Sequence, residues 1–494
     1  MNDELDPDNQ AGQTVGALTP PTEPPPPAVS PRPLGPVQEP QRIVTLDVLR
    51  GFAIFGIFMV NIAFFAMPLA KIIDPGSMAD VPPADQISHA IVRAFFEYKF
   101  VSLFSLLFGM GLVVQMRRAE QRGRPFVPLY LRRIFVLMLF GLAHGLLLWY
   151  GDILFVYSVV AIIALLLRTA SARALIGLFA GALLLSVLAA AVFVALGVID
   201  QSRSMERTTM VATQPAEVSE ATEVGIESTA PDAAADDSHE GEADDRWDRF
   251  VAALEASTWQ PGDPAWVEAG VIAYKEGPMS VTLLMRAVTF GMMLVFVGIL
   301  SGFGFRVIGM FLLGMALMKF DFFSAQRRPW HWAFCILGLL IGVPGELWLV
   351  WSYYLSGYEL GWTQAGAEVI HNISSLALCL GYVGAITLIV QAGLLRRLTY
   401  AFSCVGRTAL SNYLLQTIIA TYLMYWWGLG WFNEVSRPQQ LALVVGIYAM
   451  QMVLSVLWLR VFTIGPFEWL WRSLTYLKPQ PVLRRRATTS PTAA

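Results

Sequence analysis

Long apolar runs are the feature of this sequence that most limits its fold. A helix needs about 20 apolar residues to cross a bilayer, because each residue rises about 1.5 Å and the hydrocarbon layer is about 30 Å thick. Only 14% of the 494 residues are charged, against about 25% in an ordinary soluble domain. Ten segments are apolar enough and long enough to be spans: 45–69, 95–116, 132–150, 152–168, 173–199, 283–319, 331–354, 369–392, 408–430 and 440–463.

These segments predict an all-α fold, a polytopic integral membrane helical bundle with about ten transmembrane helices. Backbone groups inside a bilayer must find their partners within the protein, which favours helices. The alternating pattern of an outer-membrane barrel is absent. The lipid bilayer is therefore the first partner that we expect. No convincing internal repeat is found, which weakens the case for a transporter built from repeats.

The charges between the spans predict the topology. The segment 117–133 carries six arginines against one acidic residue, and the positive-inside rule places such a segment in the cytoplasm. The segment 283–319 is too long for one ordinary span and short for two. A single crossing keeps the basic sites at 327–328, 396–397 and 478–486 on the cytoplasmic side. We therefore expect one crossing, with part of the segment at an interface or re-entrant, and both termini in the cytoplasm.

The composition also divides the chain into parts. Residues 1–41 are expected to be a disordered cytoplasmic tail, because the first 40 contain 11 prolines and almost no large apolar residues. Residues 42–200 and 281–477 each contain five predicted spans. Residues 478–494 form a basic cytoplasmic tail.

An acidic insert separates the two transmembrane parts. Residues 201–280 contain 17 Asp or Glu against 5 Lys or Arg, and the topology places them outside the cytoplasm. We expect this insert to be mostly disordered, apart from possible helix in 245–276.

The sequence argues against several kinds of site. No basic domain suggests a nucleic-acid partner. Cys335, Cys379 and Cys404 are far apart in or beside apolar segments, so they predict neither a disulfide framework nor a metal site. No phosphate-binding loop, HExxH or GxSxG motif is present. We expect no bound metal.

Ionisable residues at membrane depth are costly, so each raises a functional hypothesis. His144 lies inside an apolar span near its outer end, and Asp152 follows in a tight Tyr-Gly-Asp turn. A carboxylate can orient a histidine ring for general acid–base catalysis, and the turn would have to bring Asp152 back over the helix end. The alternative is a hydrogen-bonded structural histidine.

A second polar group lies at the cytoplasmic mouth of the first span. Asp47 and Arg50 are three residues apart, so they share a helix face and can form an ion pair. Gly51 and Gly56 would allow neighbouring helices to approach closely. The alternative to a functional role is a structural pair that anchors the first helix.

Further polar residues lie near the cytoplasmic face of the C-terminal part. Arg407, Asn412 and Gln416 form a loose stripe, and Glu468 and Arg472 have the spacing of a helix ion pair. Together with the pair on the first span they could line a polar pocket. Arginines would suit a phosphate-bearing ligand there, because the guanidinium group is a planar fork. An interfacial helix held by salt bridges is the alternative.

Three other ionisable residues lie at predicted outer span ends. Glu346 and His371 belong to the C-terminal part. Lys99 precedes the second span, and a lysine at a span end usually extends its ammonium group to the interface.

Five motifs together resemble the YeiB-like family of bacterial membrane proteins, catalogued as domain of unknown function 418. They are RIVTLDVLRGFAIFGIFMVN from Arg42, LFSLLFGMG, GLAHGLLLWYGDIL, GRTALSNYLLQ from Gly406, and GPFEWLWRSLTY from Gly465. Any one motif is weak, whereas five in this order are specific. The resemblance covers most of residues 42–477, and the acidic insert departs from the compact family pattern.

The family resembles a branch of the transmembrane acyltransferase superfamily, which includes O-acetylating enzymes of bacterial surface sugars and the lysosomal heparan glucosaminide acetyltransferase. The resemblance implies acetyl-CoA or another acyl-CoA as donor at the cytoplasmic face of the bacterial plasma (inner) membrane. It implies a cell-envelope sugar or small molecule as acceptor on the far side. His144 would be the catalytic base or acyl relay, and Asp152 would orient it. The CoA end would be bordered by Asp47, Arg50, Arg407, Asn412 and Arg472.

Two other hypotheses remain open from the sequence. A small-solute transporter would use the glycine-interrupted segment 283–319 and would show flux without dependence on CoA. A non-catalytic envelope component could use the acidic insert to dock a partner. The sequence specifies neither the acceptor nor the oligomeric state.

Overall fold

The computed structural model describes residues 43–213, 239–359 and 361–483. Within these ranges the chain is almost entirely helical, and its only β-structure is an isolated bridge between Phe462 and Leu483. The predicted all-α fold is confirmed. The predicted tail 1–41, and residues 484–494 of the tail 478–494, lie outside the described residues.

The described residues form eighteen α-helices, and nine of them belong to the N-terminal part and the insert. They are α1 Val44–Ala66, α2 Leu69–Ile72, α3 Pro83–Phe95, α4 Lys99–Gln121, α5 Phe126–Ala143, α6 Leu154–Leu166, α7 Ala172–Thr213, α8 His239–Ala256 and α9 Pro264–Val271.

The C-terminal part contains nine more. They are α10 Met279–Met292, α11 Phe303–Lys319, α12 Arg328–Leu337, α13 Val343–Leu355, α14 Trp362–Gln391, α15 Arg396–Arg407, α16 Ala409–Met424, α17 Arg437–Val461 and α18 Pro466–Tyr476.

Eight helical stretches in the described residues are long and apolar enough to cross a membrane, and each of the ten predicted spans overlaps a helix. The apolar stretch of α1 is 67% buried inside the protein, whereas that of α7 is only 11% buried. A helix that exposes an apolar surface on this scale is stable only against lipid or another apolar partner. The chain is therefore a multi-pass membrane protein with α1 near its centre.

The bundle has two ends that organise its polar residues. The end where α1, α5 and α16 begin is called here the basic end. The opposite end, where these helices finish, is called the far end. There, Trp149 and Tyr150 both donate hydrogen bonds to the Phe64 carbonyl, at 3.4 and 3.0 Å.

Small residues let α1 touch its neighbours closely, as the sequence predicts. A Cβ on Gly51 would lie 2.1 Å from the Phe402 carbonyl oxygen of α15, and one on Gly56 would lie 2.0 Å from the Phe100 ring. Gly406 fits against α1 in the same way, since its Cβ would lie 1.9 Å from the Asp47 carbonyl oxygen. These contacts bring the polar motifs of α1 and α15 to one place.

Substitution of Gly406 by alanine is expected to destabilise the protein by about 1–3 kcal/mol, because an added methyl group forces two backbones apart. The matched control is Gly446→Ala on α17, where nothing lies within 4 Å of the added Cβ. The control should be neutral or slightly stabilising, because alanine favours helices over glycine by up to about 1 kcal/mol. Thermal unfolding in detergent measures both. Equal melting temperatures for the two variants would contradict the close crossing.

The segment 283–319 forms two helices that break at Gly302, which has a φ of 79°. α10 begins at the far end, where the Thr282 hydroxyl accepts a hydrogen bond from the Trp426 indole at 3.1 Å. α11 finishes at the basic end, where the Lys319 ammonium donates to the Arg168 carbonyl at 2.8 Å. The segment therefore runs from one end of the bundle to the other once, as the charge distribution predicts.

The insert is more helical than expected. α7 continues to Thr213, and α8 and α9 fill most of 239–271. The expected helix in 245–276 is present, and residues 214–238 of the insert lie outside the described residues. Phe250 and Trp266 are buried at the far end, and this apolar packing explains the order.

Asp263 fixes the start of α9 within the insert. Its carboxylate accepts hydrogen bonds from the backbone N–H groups of Thr258 and Ala265 at 2.5 and 2.8 Å. Burial alone would raise the pKa of Asp263, but these hydrogen bonds and that of the Thr258 hydroxyl lower the pKa below its usual value. Such a cap stabilises the N-terminus of a helix.

Candidate functional site

A cavity of about 260 Å³ opens at the basic end between α1, α4, α5, α15, α16 and α18. Five arginines line it against two carboxylates, those of Asp47 and Glu468. This excess of positive charge would attract an anionic ligand. The arginines are Arg50, Arg118, Arg133, Arg407 and Arg472.

The close crossing of α1 and α15 places the predicted Asp47–Arg50 pair at the cavity mouth. Arg50 donates to the Asp47 carboxylate at 2.8 Å, which confirms the predicted pair within one helix turn. Arg407 follows directly after Gly406, so the same contact brings it beside Asp47 and Arg50.

α18 closes the cavity from the C-terminal side. The Arg133 guanidinium lies 3.9 Å from the centre of the Trp471 ring, a cation–π contact. The Trp471 indole donates to the Arg133 carbonyl at 3.0 Å. The buried Nη1 of Arg472, on the next residue, has no hydrogen-bond partner. Four of the five predicted donor-site residues therefore share one cavity.

Asn412 is the fifth, and it lies outside the cavity lining. Its amide donates to the Thr408 carbonyl at 2.9 Å and to the Ser455 hydroxyl at 3.0 Å, which ties α16 to α17. Its own carbonyl accepts from the Gln451 amide at 2.9 Å. The contacts of Asn412 are those of a residue that holds two helices together.

Glu468 makes different contacts from those predicted. Its carboxylate accepts hydrogen bonds from the backbone of Leu410 and Ser411, at 2.6 and 3.1 Å, instead of pairing with Arg472. Burial raises the pKa of Glu468. A carboxylate at the first N–H groups of a helix is favourable, because the helix N-terminus carries partial positive charge.

The inner part of the cavity is apolar and ends near the middle of the bundle. Its walls are Ile54, Ile57, Phe104, Phe108 and Leu154. Tyr413 belongs to this inner lining and lies against His144, with ring centres 5.1 Å apart. A single side chain therefore separates the cavity from the predicted catalytic histidine.

His144 and Asp152 meet in space. The Nδ1 atom of His144 lies 2.9 Å from Oδ1 of Asp152, and both residues are buried. The second carboxylate oxygen of Asp152 accepts from the Phe155 backbone N–H at 2.7 Å. The carboxylate is thus fixed by the start of α6 while it contacts the imidazole ring.

Local backbone structure explains this meeting. A π-helical turn, His144–Leu148, ends α5, and the turn through Gly151 reverses the chain into α6. A Cβ on Gly141 would lie 2.3 Å from the Phe155 nitrogen and 2.8 Å from Oδ2 of Asp152, so only glycine allows this approach. π turns of this kind are frequent at functional sites.

Sequence analysis missed the third member of this group. The Nε2 atom of His144 lies 2.9 Å from the Thr417 hydroxyl on α16. When the ring is neutral and Nδ1 donates to Asp152, Nε2 carries a lone pair that can accept from this hydroxyl, which also lies 3.4 Å from the Tyr413 carbonyl oxygen. The four-residue spacing of Tyr413 and Thr417 places them on one face of α16, but it does not indicate that this face meets His144.

A second buried group lies elsewhere in the bundle. Lys99 is fully buried and donates to the Glu346 carboxylate at 2.7 Å. The same carboxylate contacts Nδ1 of His371 at 2.9 Å and accepts from Ser374 at 2.8 Å. The expectation that Lys99 reaches the membrane interface is therefore wrong, because a buried carboxylate compensates its charge.

The comparisons with known proteins identify the family of this chain. A family model described as "Protein of unknown function (DUF418)" matches residues 317–478. The uncharacterized protein YxaH of Bacillus subtilis is 33% identical over 470 residues, which cover 90% of this chain and 97% of YxaH. The uncharacterized protein YeiB of Escherichia coli is 30% identical over 453 residues, which cover 90% and 99%. No solved structure gives a significant match. The chain therefore belongs to the YeiB-like DUF418 family of bacterial membrane proteins.

Proposed function

We propose that this protein is a membrane acyltransferase that moves an acetyl or other acyl group from acyl-CoA to an acceptor on the opposite side of the membrane. The observation that carries the proposal is one of placement. An arginine-lined cavity opens at the basic end, and only the Tyr413 side chain lies between its inner end and the His144–Asp152 pair. The acceptor class suggested by the resemblance is a cell-envelope sugar.

The orientation of the protein is part of the proposal. The basic end collects Arg117, Arg168, Lys319 and Arg407, and Arg117 pairs with Asp321 at 2.7 Å across α4 and α11. Excess Lys and Arg on one side favours the cytoplasmic face. We therefore place the basic end and both termini in the cytoplasm and the far end outside the inner membrane.

The charge of the cavity suits the donor. CoA carries phosphate groups at one end and an acyl thioester at the other. Arg50, Arg407 and Arg472 at the mouth would hold the phosphates through charge-assisted hydrogen bonds. The narrow apolar part would take the thioester arm towards Tyr413, because burial of apolar groups there is favourable.

The group at His144 suits the transfer step. The Nε2 lone pair would take the proton of an acceptor hydroxyl as its oxygen attacks the thioester carbon. The carbon–sulfur bond then breaks, and the CoA sulfur leaves with the proton from His144. Asp152 would hold the ring and stabilise its charged form, and the Thr417 hydroxyl marks where an acceptor hydroxyl would lie.

Acetyl-CoA is expected to raise the melting temperature of the purified full-length protein, because a ligand that binds only the folded state stabilises it. The stabilisation is about 2.7 kcal/mol when the ligand exceeds its Kd a hundredfold. Arg407→Gln should remove most of the shift. The matched control is Arg249→Gln, which changes an exposed arginine of the insert.

Free CoA and ATP distinguish the determinants of binding. CoA should retain most of the shift, since it keeps the phosphates, while ATP should give none. No shift with millimolar acetyl-CoA, or an equal loss in Arg249→Gln, would contradict the donor site.

A small-solute transporter is the second candidate, and one observation favours it. The buried Lys99–Glu346–His371 group lies away from both ends, beside Arg306 on the helix that follows the Gly302 break. Buried ionisable groups next to broken helices often mark ion pathways. Solute flux in proteoliposomes without CoA would favour this candidate over acyl transfer.

A further inference from the structure

Arg286 on α10 is a buried cation that the proposed transfer does not use. Its side chain belongs to the far end and the residue is only 1% exposed. Nη1 donates to the Leu147 carbonyl, while Nε and Nη2 find no hydrogen-bond partner in the part of the chain that the structure describes. Within the described residues no carboxylate lies at ion-pair distance from this guanidinium.

Arg306 on α11 gives an internal comparison. It is 3% exposed, and each of its three nitrogens donates one hydrogen bond. The acceptors are the Ser102 hydroxyl at 2.8 Å, the Asn372 carbonyl at 2.7 Å and the Ser375 hydroxyl at 2.9 Å. The same bundle therefore gives every nitrogen of one buried arginine a hydrogen-bond partner, whereas two nitrogens of the other have none among the described residues.

The surroundings of Arg286 contain more buried donors. Its guanidinium carbon lies 5.7 Å from the Tyr425 ring centre and 5.0 Å from that of Trp427. Tyr274 stacks on Tyr425 with ring centres 4.8 Å apart. The hydroxyls of Tyr274, Tyr425 and Thr289 are all buried; those of Tyr274 and Thr289 are close enough to interact with each other, and that of Tyr425 has no hydrogen-bond partner among the described residues. Thr289 follows Arg286 by nearly one turn, so it shares the helix face.

Unpaired buried polar atoms are rare in proteins, and each costs about 1–3 kcal/mol. The three hydroxyls and the guanidinium can all donate, and the guanidinium adds a positive charge that no side chain cancels. Donors grouped around a cation fit an anion and not a cation or an apolar molecule. The planar fork of arginine matches phosphate and carboxylate oxygens in particular.

We propose that Arg286, Tyr274, Tyr425 and Thr289 form a binding site for an anionic group, a phosphate or a carboxylate, at the far end. Leu147, which holds Nη1 of Arg286, lies in the same π turn as His144. Thr417 lies on α16 about two turns before Tyr425, which directly follows the end of this helix, so α16 connects the His144 contact to this site. The assignment of this anion to the acyl acceptor rests on the proposed function.

Inorganic phosphate is the first probe. In a nonionic detergent it should raise the melting temperature of the full-length protein relative to chloride at the same ionic strength. Arg286→Met should weaken phosphate binding by about tenfold or more, because the charged donors are lost. Tyr425→Phe removes a single hydroxyl and should reduce the shift with little risk to folding. Arg249→Gln is the control and should keep the full shift.

Native mass spectrometry distinguishes two sources of the anion. A phospholipid that co-purifies with the wild-type protein and is lost in Arg286→Met supports a lipid headgroup. A phosphate shift without a retained phospholipid supports a soluble or sugar-borne anion. If neither a shift nor a retained lipid depends on Arg286, the anion site is wrong and the residue only holds the π turn.

The two proposals can fail separately. An acetyl-CoA shift that persists in Arg286→Met, together with loss of the phosphate shift, supports both sites. A phosphate shift that is lost in Arg286→Met, without any acetyl-CoA shift in the wild-type protein, supports the anion site and contradicts its assignment to an acyl acceptor. An acetyl-CoA shift without any phosphate shift or retained lipid supports the donor site and contradicts the anion site.

Discussion

Substitution of His144 by glutamine should slow acyl transfer by about 10² to 10⁴-fold, the usual loss when a general acid–base group is removed. Glutamine can keep a hydrogen bond to Asp152 or Thr417, but it cannot take a proton near neutral pH. Donor binding should be unchanged, because Tyr413 separates His144 from the cavity. The measurement is transfer of a radiolabelled acetyl group from acetyl-CoA to envelope material in membrane vesicles.

The control for this experiment is His331→Gln. His331 is also fully buried, and its Nε2 contacts the Phe322 carbonyl at 2.7 Å near the basic end. It has no carboxylate partner among the described residues. Loss of activity in both variants would indicate a general effect of disturbing a buried histidine. Full activity in His144→Gln would show that the proposed mechanism is wrong.

Asp152 and Thr417 refine the same test. Asp152→Asn should lower the rate of transfer with little effect on the acetyl-CoA shift, because the asparagine no longer stabilises a charged ring.

Thr417→Val removes the hydroxyl near Nε2. If Thr417 only marks the acceptor position, the valine variant keeps substantial activity. If it carries the acyl group, the variant loses activity as completely as His144→Gln.

The sequence predicts the membrane fold well because the bilayer imposes a simple rule on length and polarity. Each of the ten predicted spans overlaps a helix, and the single crossing of 283–319 follows from charge alone. The break at Gly302 and the long extension of α7 to Thr213 are less predictable. The break depends on the close approach of Gly302 to Ser186 of α7, which hydropathy does not encode.

The sequence predicts only those polar contacts whose partners are close together in the chain. Asp47 with Arg50, and His144 with Asp152, are close in sequence, so local geometry suffices to suggest that they meet. Thr417 is 273 residues from His144, and no local pattern links them. Asn412 was predicted to border the donor site because it belongs to the same motif as Arg407, but its side chain contacts α17 and does not line the cavity.

Lys99 marks the limit of local reasoning most clearly. A lysine at a span end normally reaches the interface, and its sequence neighbours give no reason to expect otherwise. Its partner Glu346 is 247 residues away on α13. Tertiary packing determines which residue pairs with a buried charge. A single sequence therefore predicts that burying the charge is costly, but it does not identify the residue that compensates it.

Substitution of Glu346 by glutamine is expected to destabilise the protein by about 3–5 kcal/mol, the usual effect of removing one partner of a buried ion pair. Both side chains are fully shielded from solvent and lie 2.7 Å apart. Glutamine keeps the size of the side chain but leaves the Lys99 ammonium without a compensating charge. Thermal and denaturant unfolding of the variant in detergent measure the loss.

An exposed pair of the same length gives the control. Arg117 and Asp321 are also 2.7 Å apart, but their side chains are 39% and 67% exposed. Asp321→Asn should therefore cost about 0–1 kcal/mol, because water compensates the remaining charge. Similar losses in the two variants would mean that burial does not govern the Lys99–Glu346 pair.

The double variant Lys99→Met, Glu346→Gln separates structure from function. If the pair is a structural link between α4 and α13, removing both charges should recover much of the lost stability, since the double variant leaves no unpaired charge at this pair. Acyl transfer should then recover with it. The double variant could instead recover its stability but not its function, and the wild-type protein could show solute flux. That combination would assign these residues to an ion pathway and favour the transporter.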